Sequence, residues 1–193
     1  MKKQNLTVAI TGASGAGYAR RLLRAIPRRD YDVWLVSSEA GRLVYESETG
    51  LALKDDLPPE VHVYEESDFT APIASGSFLC AGMVIVPCTM GTLGAIAAGL
   101  SQNLIHRAAD VCLKERRPLI LVPRETPLNR VHLANMLRAA EAGAIILPAM
   151  PGFYHGPRSI EDIIDFVVAR ILDQLGIAHN LVEPWAGLKP TLD

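Results

Sequence analysis

Along the chain, short dense apolar runs alternate with longer stretches whose apolar residues recur at helical spacing. The dense runs are Leu6 to Ile10, Asp32 to Ser38, Val61 to Tyr64, Gly82 to Pro87, Pro118 to Pro123 and Ala144 to Leu147. Their β-branched content and length predict strands, and the unbroken Met83-Val-Ile-Val86 core marks one buried on both faces. Helical spacing covers Ala19 to Ala25, Glu39 to about Thr49, Asn103 to Glu115, Asn129 to Ala142 and a long segment that opens at Ser159 with Asp162 three residues on, a capping-box start. Strand and helix alternate about six times without repeat or linker, which predicts an α/β fold: a doubly wound parallel sheet, Rossmann-like or flavodoxin-like, in a three-layer sandwich. One domain is expected over 1–193, with the more polar tail from about 176 to 193 packing on another subunit.

The junctions between strands and helices carry the candidate chemistry. After Leu6 to Ile10 come Gly12, Gly15 and Gly17, then the first helical stretch. Such a strand, tight turn and helix start aims unpaired N–H groups and a positive dipole end at one spot, so an anion, a phosphate above all, is expected there. The spacing is not the dinucleotide fingerprint: counted from Gly15 the third glycine is replaced by Arg20, and from Gly12 the order is G-x-x-G-x-G. Ser14 adds a hydroxyl inside the turn. A second turn of this kind, Cys88-Thr-Met-Gly-Thr92, follows Gly82 to Pro87. Two such turns suggest a ligand along the carboxyl edge of the sheet.

Ser37 and Ser38 stand at the end of the second strand, where a nicotinamide-binding domain places an acid. They could contact a phosphate or a ribityl chain, or one could cap the next helix. Arg124 and Glu125 end the Pro118 to Pro123 strand at the ligand edge, which makes Arg124 an anion contact by position. The loop Asp68 to Ser77 is long and built of small residues, and Pro148 to Pro157 reads as a rigid loop that either presents Tyr154 or packs it. On a helical wheel Arg170 falls between Ile163 and Phe166, an arc expected to be buried, so it needs an anionic partner, either a carboxylate or a ligand phosphate. Glu46 and Glu48, taken alone, read as solvated charges. Cys88 could be a nucleophile but suits an inert buried thiol better.

Bulk composition narrows the classes. About half of the 193 residues are apolar, enough for a sizeable core, and the net charge of −2 leaves no basic face for nucleic acid. Lys114, Arg116 and Arg117, with Glu115 among them, suit a solvated helix end. Cys80, Cys88 and Cys112 form no C-x-x-C pair, so neither zinc nor a disulfide framework is indicated, and no Asp-rich motif suits magnesium. No stretch has the apolar length of a membrane span or a secretory leader, and a soluble cytoplasmic product is expected.

Taken together, Thr11-Gly-Ala-Ser-Gly-Ala16, Ala71-Pro-Ile-Ala-Ser-Gly-Ser77, Pro87-Cys-Thr-Met-Gly-Thr92, Asn103 to Pro118, Val122-Pro-Arg-Glu-Thr-Pro127 and Pro151-Gly-Phe-Tyr-His155 closely resemble the flavin prenyltransferases, the UbiX-like proteins. The resemblance runs from the first strand to about Trp185. It implies binding of FMN and dimethylallyl phosphate, and transfer of the prenyl group to N5 and C6 of reduced FMN for use by UbiD-type decarboxylases. By position, Gly12, Ala13, Ser14, Ser38, Thr89, Met90, Gly91, Thr92 and Arg124 match the FMN-binding residues. Ser14, Lys114, Arg124, Tyr154 and Arg170 match the surroundings of the prenyl phosphate. Glu48 and Glu125 match acids that handle protons, and Phe69 and Trp185 match substrate-binding positions. Phe69 replaces the Trp usual in the family and offers a weaker π face. No metal is implied, because Lys114, Arg124 and Arg170 can supply the positive charge. The resemblance also implies a large homo-oligomer, a dodecamer. Two rivals remain: a cysteine decarboxylase of the same fold class, which would carry an Asn where Pro72-Ile-Ala-Ser-Gly-Ser77 has none and for which His106 or His155 could be proposed as base, and, of another class, a non-catalytic FMN carrier or assembly subunit that delivers cofactor to a decarboxylase.

Overall fold

A computed structural model describes residues 2–185 and 187. Its strands are β1 (Gln4–Ile10), β2 (Tyr31–Ser37), β3 (Val61–Glu65), β4 (Met83–Cys88), β5 (Leu119–Pro123) and β6 (Ile145–Ile146). The helices are α1 (Ala16–Ala25), α2 (Glu39–Thr49), α3 (Met90–Ala97), α4 (Leu104–Lys114), α5 (Arg130–Glu141) and α6 (Ile160–Gln174). All six strands pair in parallel in one sheet of order β3-β2-β1-β4-β5-β6. The expected doubly wound sheet is therefore what the chain forms.

The period of two along each strand sorts the core into two layers. Leu6, Val8, Val33, Leu35, Val84 and Val122 pack with α1 (Leu22, Leu23) and α6 (Val168, Ile171, Leu172). Ala9, Val36, Met83, Ile85 and Leu121 face the other way, onto α3 (Leu93), α4 (Leu104, Ala108, Cys112) and Ala139 of α5. With β6 only two residues long, the sheet offers α5 little to cover, and Val131, Leu133 and Leu137 stay exposed.

Most element limits shift by a residue from the sequence reading, but α1 begins at Ala16, three residues early. Gly15 ends the turn at φ 121°, a backbone angle that L side chains rarely adopt, and the helix starts directly after it. Gly12 is required by close approach: a Cβ there would lie 2.6 Å from Cβ of Ala40 at the start of α2. The long 66–82 connection is partly ordered by a 3₁₀ turn, Pro72–Ala74, that buries Ala71 and Ile73. In the tail, Ile177 is buried and Leu181 packs on the chain's own core, while residues 186 and 188–193 lie outside the described residues. No described helix is long and apolar enough to cross a membrane.

The strand order locates the site. Winding reverses between β1 and β4, so their carboxyl ends flank a crevice that no crossover covers.

Candidate functional site at the carboxyl edge

The two glycine- and hydroxyl-rich turns meet at this crevice. Thr11, at the end of β1, donates to the Pro87 carbonyl at 2.8 Å and accepts from the Thr89 amide at 2.8 Å. From the end of β5, Arg124 donates through Nε to the Ser14 carbonyl at 3.2 Å. Gly12, Ala13, Ser14, Thr89 to Thr92 and Arg124 thus share one rim, as expected. Ser38 caps α2, its Oγ accepting from the Gly41 amide at 3.0 Å, and Thr89 caps α3, its Oγ1 accepting from the Thr92 amide at 3.1 Å. Both uses weighed for the serine pair are compatible, because a capping hydroxyl keeps a proton to donate.

The first turn corrects two expectations. Its N–H groups already hold an anion, the Glu48 carboxylate, which accepts from Gly15 at 2.9 Å and Ala16 at 2.8 Å. Partial burial is the largest influence on this carboxyl and pushes its pKa up. Hydrogen bonds from the Ser14 hydroxyl and the Gly15 and Ala16 amides, with Arg124 nearby, outweigh it and hold Glu48 below the ordinary carboxylate range. Glu48 is therefore not a free surface charge, and the start of α1 is not a vacant phosphate seat. The start of α3 is the open one. Among the described residues the Met90 and Gly91 amides have no acceptor, Gly91 is exposed, and a Cβ on Gly91 would meet nothing nearer than Thr89 Oγ1 at 3.9 Å. Thr89 Oγ1 donates to Thr92 Oγ1 at 2.9 Å, which leaves the Thr92 hydroxyl its own proton to give; two free amides, a dipole end and that hydroxyl fit the phosphate of a flavin mononucleotide. Cys88, beneath this turn, is fully buried, and burial pushes its thiol up to about 12, so the inert reading holds.

A second cluster lies beside α6. Tyr154, Phe166, Arg170, Asp173 and Trp185 line a cavity of about 340 Å³. The Tyr154 ring stands edge-on to Trp185 at 5.3 Å and to Phe166 at 5.7 Å. Arg170 departs from the helical-wheel reading: its side chain is 52% exposed and pairs with Asp173 at 2.6 Å, the plainer of the two partners foreseen. The core takes the Val167, Val168, Ile171 and Leu172 arc of α6, whereas the Phe166 and Arg170 arc faces the returning segment Val182 to Trp185. A wheel shows which residues are neighbours, not which arc another element covers.

Other candidates stand apart. Lys114 ends α4 and pairs with Glu115 beside Gly76, while Arg117 donates to the carbonyls of Gly76 and Phe78 at 2.7 Å each. That segment continues to Ala81, whose amide bonds the Asn5 carbonyl at the start of β1. Lys114 thus sits at the amino end of the sheet, opposite Ser14 and Arg124. Glu125 is next to the rim, its carboxylate accepting from the Thr126 amide at 3.0 Å. Phe69 is 48% exposed on its loop. His106 is buried, which lowers its pKa, and His155 stacks on Phe166 at 5.3 Å.

The sequence reading missed Glu66. Its carboxylate accepts from the Glu39 amide at 2.8 Å and from Asn103 Nδ2 at 3.0 Å, tying the starts of α2 and α4 together next to Ser38. Partners 27 and 37 residues away leave no local signal.

A doubly wound sheet with an open, hydroxyl-lined helix start at its switch point is a mononucleotide-binding frame, and residues 1–172 match the family described as Flavoprotein. The flavin prenyltransferase UbiX of Alkalihalophilus pseudofirmus is 50% identical over 190 residues, covering 93% of this chain and 95% of that protein. The chain belongs to the flavin prenyltransferase (UbiX) family, and is accordingly a flavoprotein enzyme of the transferase class. The crystal structure of AnUbiX (PadA1) in complex with FMN and dimethylallyl pyrophosphate superposes with a TM-score of 0.94 at 42% identity, covering 97% of this chain and 100% of that one. The dodecameric FMN-dependent Ubix-like decarboxylase of Escherichia coli O157:H7 gives 0.91 at 42% identity, covering 95% and 100%.

Proposed function

We propose that this chain joins the dimethylallyl group of dimethylallyl phosphate to N5 and C6 of reduced FMN, and that the prenylated FMN serves a UbiD-type decarboxylase. The observation that carries this is the convergence of Tyr154, Arg170 and Trp185, from a loop, a helix and the tail, on one cavity in a chain of this family. When bound, reduced FMN supplies the two nucleophilic positions.

The chain's own residues have distinct tasks. The Met90 and Gly91 amides, with the hydroxyls of Thr89, Thr92 and Ser38, hold the FMN phosphate and its tail, while Gly12, Ala13 and Ser14 let the ring system approach and Arg124 stands over the turn. Arg170, Lys114 and Tyr154, with Ser14 and Arg124, bind the prenyl phosphate and neutralise charge as it departs. Phe69 and Trp185 offer π faces to the delocalised allylic charge. Glu48, held as a carboxylate, can accept a proton but is a poor donor, and Glu125 is the second proton-handling acid.

Lys114 lies at the opposite end of the sheet from Arg124, so we assign its place in the site to a neighbouring copy. A homo-oligomer, a dodecamer like the Escherichia coli relative, follows, with the exposed Val131, Leu133 and Leu137 of α5 available for contacts between subunits. The protein is taken to act in the cytoplasm, where Cys80, Cys88 and Cys112 stay free thiols.

The test is anaerobic incubation of the protein with reduced FMN and dimethylallyl phosphate, followed by mass spectrometry. Flavin heavier by one prenyl unit is expected. Unchanged FMN, with a proven family member active in parallel, removes the proposal.

A further inference from the structure

We infer that Thr11 is a positioning residue: its buried hydroxyl clasps the two ligand-facing turns across the switch point and sets how they present themselves to FMN. The side chain touches no open space, at 2% exposure. Its proton goes to the Pro87 carbonyl at 2.8 Å and its oxygen takes the Thr89 amide at 2.8 Å, so the hydroxyl is used within the protein. The second bond removes Thr89 N–H from the donors of the α3 start and holds Thr89 in the extended geometry, φ −70° and ψ 152°, from which its own hydroxyl caps α3. Met90 and Gly91 are thereby left as the amides without an acceptor among the described residues. On the other side, the Thr11 carbonyl accepts from Ala13 at 2.9 Å and shapes the first turn. β1 and β4 are distant in sequence; the Thr11 amide also donates to the Pro87 carbonyl, at 3.2 Å, and the side chain adds the tie that reaches the α3 start itself, through Thr89. The inference rests on the reading that this rim holds FMN.

Thr11→Val keeps the branched shape and volume but leaves the half-buried Thr89 amide without its partner and the Pro87 carbonyl with the Thr11 amide alone, at 3.2 Å. FMN titration should show binding weakened by about tenfold or more, since a net loss near 1.4 kcal/mol corresponds to that factor. Amide exchange at Thr89 should quicken, and Thr11→Ser, which restores the hydroxyl, should return both readouts towards wild type. FMN affinity within about twofold of wild type in Thr11→Val overturns the inference, as a shift that small lies below any lost buried bond. If Thr11→Val shows no cooperative melt, Thr11→Cys takes its place, with a similar volume but a weak donor and acceptor. Weakened FMN binding in that variant supports the clasp, and unchanged binding overturns it. Wild-type protein that binds no FMN would sink the flavin reading instead. Thr89 exchange then decides the clasp alone: faster exchange in Thr11→Val supports it, and unchanged exchange overturns it.

Discussion

The rim at the carboxyl ends of β1 and β4 and the cavity beside α6 are built on opposite plans. At the rim the polar groups are tied down within the chain: Thr11 to Pro87 and Thr89, Glu48 to Gly15 and Ala16, Ser38 to Gly41, Arg124 to Ser14. In the cavity, Tyr154 and Trp185 are each 56% exposed, and among the described residues Arg170 pairs with only a surface acid three residues on. A tied-down rim holds its donors aimed before a ligand arrives, which keeps reorganisation small. An open cavity of aromatic rings around a half-exposed guanidinium is arranged to receive groups from elsewhere. Changes at the rim should therefore register in folding and FMN binding, and changes in the cavity in turnover alone.

The sharpest division is expected at Arg170. Arg170→Ala should lower prenyl transfer by about 100-fold or more, close to 2.7 kcal/mol of transition-state stabilisation. FMN affinity should be retained, and the melting temperature nearly so, because an exposed ion pair is worth only about 0–1 kcal/mol. Equal turnover would refute the phosphate role, and a collapsed melt would break the contrast itself. Gly12→Ala probes the rim from the other side. Its new Cβ would sit 2.6 Å from Ala40, and urea unfolding should report about 1–3 kcal/mol lost.

Tyr154→Phe keeps the ring against Phe166 and Trp185. Its hydroxyl makes no hydrogen bond among the described residues and the side chain is exposed, so stability should stay within about 0.5 kcal/mol. Turnover should fall about tenfold, the loss of one hydrogen bond to a charged phosphate.

The smallest effect concerns Glu48. Its folded pKa is depressed, so its stabilisation is present above the ordinary glutamate value of 4.5 and is lost as pH falls through the lower folded value. Glu48→Gln should cost about 1 kcal/mol at neutral pH, the scale of a helix cap. The two unfolding curves should converge as the medium becomes more acidic than the folded value. A constant gap down to strong acid would show that charge is not what the turn holds.

Much of this is legible in the sequence. The six strands, the alternation with helices and the Ser159–Asp162 capping box follow from periodicities and caps that act over a few residues. The two turns could be read for the same reason: Gly12, Gly15, Ser14 and Thr89 to Thr92 are local punctuation with local consequences. The family resemblance named the side chains, but their spatial grouping was less accessible. The helical wheel puts Arg170 on an arc that the core does not take, Glu48 read alone is a solvated charge, and the resemblance groups Lys114 with Arg124, which stands at the other end of the sheet.

Local order along the chain, namely where strands and helices lie and which junctions can meet an anion, was determined by the sequence alone, because φ/ψ preference and hydrophobic period are properties of neighbouring residues. Which remote groups meet was decided only by tertiary structure. Glu48 reaches Gly15 across 33 positions, and Thr89 reaches Thr11 across 78, because the sheet sets β1 beside β4 and lays α2 over the first turn. Such partners depend on how layers pack and which arc of a helix remains uncovered, and no window of adjacent residues contains that information.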